Sequence, residues 1–497
     1  MRWKNRCLAP LLVIFLFSGC PQPQGSSSKV SSLPDAPKDL RVKPGYKKLI
    51  VSWDAASGAD SYEIFFSETE TIPDAGAVFR ESATSTVTLD QLNNGQTYYI
   101  YVRSKNNFGV SGFSPPAQGK PELKAPTPSL IRGNERLSVG WVTETGVQYE
   151  VFCNNAKWPG LSEIREKTGG VEISGLENST AYSVWIKAIA HTGETEIESQ
   201  ASSEIPEGEL TAPAGFVYVP GGTVLGSESY AISVTVPNAS DYMNTGKTLT
   251  KKGVFVEGRK VTLDSLFVAK YETTRELWYN VQSWAKDKNY SFQNEITEPN
   301  EADKNKPVTG ISWRDAIVWC NAYSEKSGMQ PVYYYGGEIL RNSQNAACDN
   351  AEMKKNNSGF RLPTEVEREF AARGGDPGKA DWVFTFSGSN DADDVWHHGN
   401  SPYQIREVGL KKTNRLGICD LSGNVQEWGW DWMNYNVAVS AETPPDGEEQ
   451  GGRFSQKPMA GGGVGSNLTM SCVADRWSFT TNYTDSYVGF RVIRKAQ

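Results

Sequence analysis

In the segment Asp420-x-x-Gly423-Asn-Val425-x-Glu427, two carboxylates bracket a Gly-Asn turn. Carbonyl oxygens of Gly423 and Val425 directed into such a turn would join the two side chains as hard oxygen donors, the chemistry that calcium prefers. Asp420, Gly423, Val425 and Glu427 are therefore the candidate ligands of a structural calcium ion. The competing expectation is that Asp420 and Glu427 simply hydrogen-bond the turn.

Other reactive residues are sparse. The histidines are His191, His397 and His398. Adjacent side chains rarely supply two legs of a facial triad, so histidine-bound non-haem iron is nearly excluded, and the pair beside Asp391, Asp393 and Asp394 reads as a solvated turn. Of 7 cysteines, those after Cys20 are Cys153, Cys320, Cys348, Cys419 and Cys472. An odd number leaves at least one thiol free or intermolecular. Spacing does not decide the pairing, and without a C-x-x-C neither a zinc ribbon nor a thioredoxin-type site is supported. No G-x-S-x-G, P-loop or H-E-x-x-H occurs, and no residue is assigned a catalytic role.

The stretch from Ser466 to Val488 is rich in Ser, Thr, Asn, Asp and Tyr. Such residues combine adaptable hydrogen bonding with aromatic contacts of low entropic cost, as binding loops do. Asn467, Trp477 and Tyr483 are the candidate ligand contacts, against the plainer expectation of a polar loop. Trp428, Trp430 and Trp432 alternate and so share one face of a strand; a core face is expected, and a platform for sugars or peptides is the alternative.

The elements that must position these residues are spread over 497 residues, enough for about three domains at roughly 150 residues each. The formal net charge is −8, with no basic run interleaved with aromatics, so nucleic acid is not an expected partner. Arg2, Lys4 and Arg6 precede an apolar run from Leu11 to Phe17 and then Ser18-Gly19-Cys20. That run is a secretory signal too short to span a bilayer. Residues 1–20 resemble a bacterial lipoprotein signal, which implies lipidation of Cys20, a membrane anchor and a location in the cell envelope, at the outer surface or the periplasmic face. Residues 21–33, rich in Pro, Ser, Gln and Gly, read as a flexible tether.

Residues 34–121 and 124–206 carry matching marks: Trp53, Tyr62 and Leu92-x5-Tyr98 in the first, Trp141, Tyr149 and Leu176-x5-Tyr182 in the second. Short period-2 strands bearing a Trp, a Tyr and a late Tyr corner form a small β-sandwich, and both segments resemble fibronectin type III domains. In residues 213–495, Thr273 with Glu276 and Thr364 with Glu367 suggest boxed helix starts, and a further helix is expected from Ser312 to Gly328.

Within that last domain, Gly359-Phe-Arg-Leu-Pro-Thr-Glu365, the run Asn414-Arg-Leu-Gly-Ile-Cys-Asp-Leu-Ser-Gly-Asn-Val-Gln-Glu-Trp428 and Val488-Gly-Phe-Arg-Val492 resemble the formylglycine-generating enzyme, or sulfatase-modifying factor, family. The resemblance implies a multidomain chain: two all-β fibronectin type III sandwiches followed by an α+β, C-type-lectin-like domain with much irregular structure. It also implies a calcium site at the four positions named above and a second in residues 396–413, where no ligands can be assigned. Family members oxidise a sulfatase cysteine with copper held by two thiolates. Here the matching segment, from Gly461 to Cys472, has one cysteine, and the positions near Gly462, Ser466 and Asn467 carry no sulfur. Copper is not expected, and binding of an unknown protein or glycan ligand is the expected use. A formylglycine-generating oxidoreductase and a purely structural envelope protein are the alternatives. The segment 466–488 also resembles the variable region of lectin-fold proteins displayed by diversity-generating retroelements.

Overall fold

The computed structural model describes residues 32–71, 79–154, 156–158, 163–164, 168–190, 196–208, 210–235, 248–437 and 456–496. The lipobox around Cys20 and His191 lie outside the described residues. Two compact units result: residues 1–92 with 97–120, and residues 93–96 with 121–497.

In the first unit, the alternation of Lys48–Asp54 turns Leu49, Val51 and Trp53 inward. This strand lies between Lys38–Gly45 and Thr86–Asp90, and the facing sheet is built on Ser61–Ser67 and Tyr98–Asn106. Trp53 meets Tyr62 edge to face at 5.1 Å between ring centroids, filling the space between the sheets. The Tyr62 hydroxyl accepts from Ala56 N at 2.9 Å.

The second sandwich repeats this plan at the start of the second unit. Trp141 is fully buried. Tyr149 Oη accepts from Glu144 N at 2.8 Å, and Tyr182 Oη accepts from Glu177 N at 2.9 Å, the corner its spacing predicts. Its sheet does not end at its own edge, however. The order runs Glu163–Ile164, Thr168–Ser174, Arg136–Val142, Ser129–Gly133, and then continues into Gly222–Leu225 and Lys260–Leu263 of the C-terminal domain. The joint is antiparallel, with Gly222 opposite Ile131 and Thr223 opposite Leu130. Ser129 Oγ accepts from Leu225 N at 2.9 Å, and Ile131 packs into the same apolar cluster as Val224, Val261 and Phe370. On the sheet face, Gly140 and Gly170 lie so close to Gly378 that a Cβ on Gly140 would sit 2.4 Å from Gly378 N. Ser138 Oγ donates to Asp376 Oδ2 at 2.6 Å. Pro206 to Pro213 is thus a connection inside one unit.

Among the described residues the C-terminal domain has three α-helices, α1 (Arg275–Lys286), α2 (Trp313–Lys326) and α3 (Glu365–Ala372). The starts of α2 and α3 carry reciprocal capping boxes, Ser312 with Asp315 and Thr364 with Glu367. At α1 the cap is one residue later than the sequence predicts: Thr274 Oγ1 accepts from Leu277 N. Thr273 is already tied into the core, its N–H donating to Phe490 O and its carbonyl accepting from Val308 N. Two apolar clusters fill the domain. One gathers Trp278, Trp313, Trp319, Trp428, Trp430 and Phe490; the other gathers Tyr230, Phe370, Trp382 and Cys472. Trp428 and Trp430 are core, and the Lys457 ammonium lies 3.7 Å over Trp432.

Candidate functional site

The Asp420–Glu427 turn is held in a left-handed path, with positive φ at Asp420, Gly423 and Asn424. Gly423 is required there, because a Cβ would stand 2.5 Å from Trp396 O. Asn424, fully buried, is the centre of the turn. Its Nδ2 donates to Glu272 Oε2 at 2.7 Å, and its Oδ1 accepts from Arg406 N at 3.1 Å. Glu272 Oε1 accepts from Val425 N at 3.1 Å. Glu427 meets Arg491 at 2.8 Å with both side chains 1 % exposed, and Arg491 also donates to Cys419 O and Ala269 O. Asp420 Oδ2 accepts from Gly409 N at 2.7 Å.

The four predicted calcium positions therefore do share one buried turn. A third carboxylate, Glu272, joins them from the approach to α1, where no sequence signal marked it. Burial first, then Asp420 and Glu427, holds the Glu272 carboxyl well above the usual range, with Arg491 opposing. Burial also raises Asp420. Each carboxylate already holds a protein donor, so calcium, which takes six to eight oxygens, would have to compete with Arg491 and with backbone amides.

Asn424 also fixes a wall of a surface groove through Arg406. The groove encloses about 720 Å³ and is lined by Arg275, Lys306, Tyr403, Arg406, Glu407 and Tyr487, among others. Arg275 is the first residue of α1. Tyr403, 56 % exposed with φ 54, is held by its N–H donating to Val464 O, and its ring lies 5.7 Å from that of Tyr487 and 4.6 Å from His398. Arg406 donates to Ser401 Oγ and Gln404 Oε1 and lies 5.3 Å over Trp396. The loop 396–410 that yielded no ligands to sequence reading is thus a groove wall.

The predicted ligand contacts do not line this groove. Asn467 Oδ1 is occupied locally, accepting from Thr469 Oγ1 at 2.6 Å and from Met470 N. Tyr483 stacks on Phe479 at 3.9 Å and donates to Asp485 Oδ2. Trp477 is exposed at 44 %. From the same segment, Ser486 and Tyr487 reach the groove instead. Of the histidine pair, His397 Nδ1 accepts from Gly399 N, and burial lowers its pKa.

The described thiols form no disulfide. Cys472 sits in the cluster around Phe370, Cys320 and Cys348 in the cluster around Trp319, and all five described cysteines are free. Burial pushes the Cys348 and Cys472 thiols up to about 12 and raises Cys320 and Cys419 as well. Metal ligation and nucleophilic attack both need the thiolate, and these environments oppose its formation.

The sulfatase-modifying factor enzyme 1-like domain family matches residues 201–496, and the second Ig-like domain of tip attachment protein J matches residues 35–127. The chain is 31% identical over 284 residues to a Paenibacillus barcinonensis protein named chaperone protein LppX, covering 53% of this chain and 91% of that one. It is 21% identical over 282 residues to the formylglycine-generating enzyme of Bos taurus, covering 51% and 68%. Among solved structures, Treponema denticola variable protein 1 is 27% identical, covering 56% of this chain and 95% of that chain, with a TM-score of 0.41.

Proposed function

Since the chain belongs to the sulfatase-modifying factor enzyme 1-like family through residues 201–496, we propose that it uses this fold to bind a polypeptide ligand in the cell envelope and not to oxidise a cysteine. The observation that carries the reading is the placement of the sulfurs. The positions near Gly462, Ser466 and Asn467 hold none, and Cys472 is fully buried in an apolar cluster. The residues present do not fit a two-thiolate copper centre. A groove with an exposed tyrosine, Tyr403, and fixed walls supports binding, and a relative named as a chaperone favours a polypeptide as the ligand.

On this reading the Asp420–Glu427 turn is a protein-internal charge cluster that fixes the groove wall through Asn424 and Arg406. Glu272 and Arg491 hold it in place of calcium. A chelator titration monitored by melting temperature tests that part: no shift is expected, and a drop restored by calcium would contradict it.

Lipidation of Cys20 would anchor the protein to a membrane. Among the described residues no helix is long and apolar enough to cross one. Cys20→Ser is expected to move the protein from the membrane to the soluble fraction, and unchanged fractionation would contradict the anchor.

The direct test of function is to incubate residues 121–497 with copper, oxygen and a Cys-x-Pro-x-Arg peptide. No aldehyde by mass spectrometry is expected; formation over repeated turnovers would establish the oxidoreductase instead.

A further inference from the structure

We propose that the groove between the start of α1 and the loop 396–410 selects acidic polypeptide segments, with Arg275 and Arg406 as its carboxylate receptors; this rests on the binding reading above. The protein as a whole is acidic, with a formal net charge of −8, yet two guanidinium groups from distant segments line one groove. Among the described residues neither forms a salt bridge, although Arg275 is near enough to Asp303, the partner of Lys306, to help lower that carboxyl's pKa. Arg275 Nε is buried without a hydrogen-bond partner. Arg406 is oriented by neutral groups alone, Ser401 Oγ, Gln404 Oε1 and the face of Trp396. An arginine held by neutral partners keeps its charge available, and its planar fork matches a carboxylate.

The remaining charges in the groove are Lys306, already paired with Asp303 at 2.9 Å, and Glu407. Counting Arg275 and Arg406 against Glu407 leaves an excess of one positive charge outside the Lys306–Asp303 pair. The exposed ring of Tyr403 and the half-buried ring of Tyr487 add amphipathic surface beside these charges, which suits a peptide with side chains between its acids.

The test uses the full chain carrying Cys20→Ser and fluorescence anisotropy at about 50 mM salt, where screening is weak. The probes are a labelled octapeptide alternating Glu and Gly, its Gln-Gly counterpart, and an oligogalacturonate of similar charge. The Glu peptide is expected to bind. Arg275→Gln and Arg406→Gln should each weaken it about tenfold or more. Because Arg406 also supports the loop, Glu407→Lys provides a second arm: it should tighten the Glu peptide by about threefold or more and leave the Gln peptide unchanged. Equal binding of the Gln peptide would overturn acid selectivity while leaving polypeptide binding intact. Binding of oligogalacturonate without the Glu peptide would make the occupant a glycan and overturn the inference. Binding by no probe, or Glu-peptide binding indifferent to all three substitutions, would overturn it too.

Discussion

The two sandwiches carry the same signature residues and differ at one edge. Trp53 and Trp141, and Tyr62 and Tyr149, occupy equivalent core positions. In the first unit the matching strand, Lys38–Gly45, ends its three-stranded sheet. In the second, Ser129–Gly133 hands its outer edge to Gly222–Leu225 of the C-terminal domain. A shared core pattern thus says little about whether a sandwich is a spacer or a structural part of its neighbour. An open strand edge is a pairing template that must be covered, and in the second sandwich the C-terminal domain covers it.

Truncation should break this symmetry most visibly. Beginning the chain at residue 121 is expected to leave the melting temperature of the remainder within about 2 °C of the parent. Beginning it at 213 strips the partner strand from Gly222–Leu225 and uncovers Val224 and Val261, so a fall of roughly 10 °C or more, or insolubility, is expected. Equal melting temperatures for the two fragments would mean that the shared sheet adds nothing to stability.

Point substitutions sharpen the same contrast. Gly140→Val drives side-chain atoms into the Gly378 backbone and should cost about 1–3 kcal/mol. Ser52→Val, at the matching position of the first sandwich, should stay within about 0.5 kcal/mol. Ser138→Ala removes the hydrogen bond to Asp376 and should cost about 1–2 kcal/mol. Denaturant midpoints at constant m-value measure all three.

The smallest expected difference is in pH response. Glu272 has a folded pKa held well above its unfolded value, mainly by burial. Its contribution is therefore fully present below the unfolded pKa and is lost as pH rises through the folded one. The melting temperature of the 121–497 fragment relative to its Glu272→Gln variant should rise as pH falls from about 7 towards 5. A flat difference would show that Glu272 ionises normally.

Legibility in the sequence follows how local the determinants are. Trp141, Tyr149 and Tyr182 were readable because each sits at a fixed offset within a short period-2 strand. The caps of α2 and α3 were readable for the same reason, whereas at α1 tertiary ties on Thr273 displaced the cap by one residue. The joint between Ser129–Gly133 and Gly222–Leu225 links segments far apart in the chain, with no local mark on either. The groove is harder still to read, because Arg275, Tyr403, Arg406 and Tyr487 come from separate segments. The acidic turn was visible as a cluster, yet its organising partners, Glu272 and Arg491, lie outside the motif. Asn467 and Tyr483 had the composition of binding residues, and their polar atoms are used within their own loops.

On the proposed reading, the C-terminal domain keeps the family's motifs but has no sulfur near Gly462, Ser466 and Asn467. A competition titration of cuprous ion between residues 121–497 and a chromophoric chelator tests this most directly. The account predicts that the chelator keeps the metal and that Cys472→Ser changes nothing. One equivalent of copper withdrawn by the protein, and returned by Cys472→Ser, would contradict it.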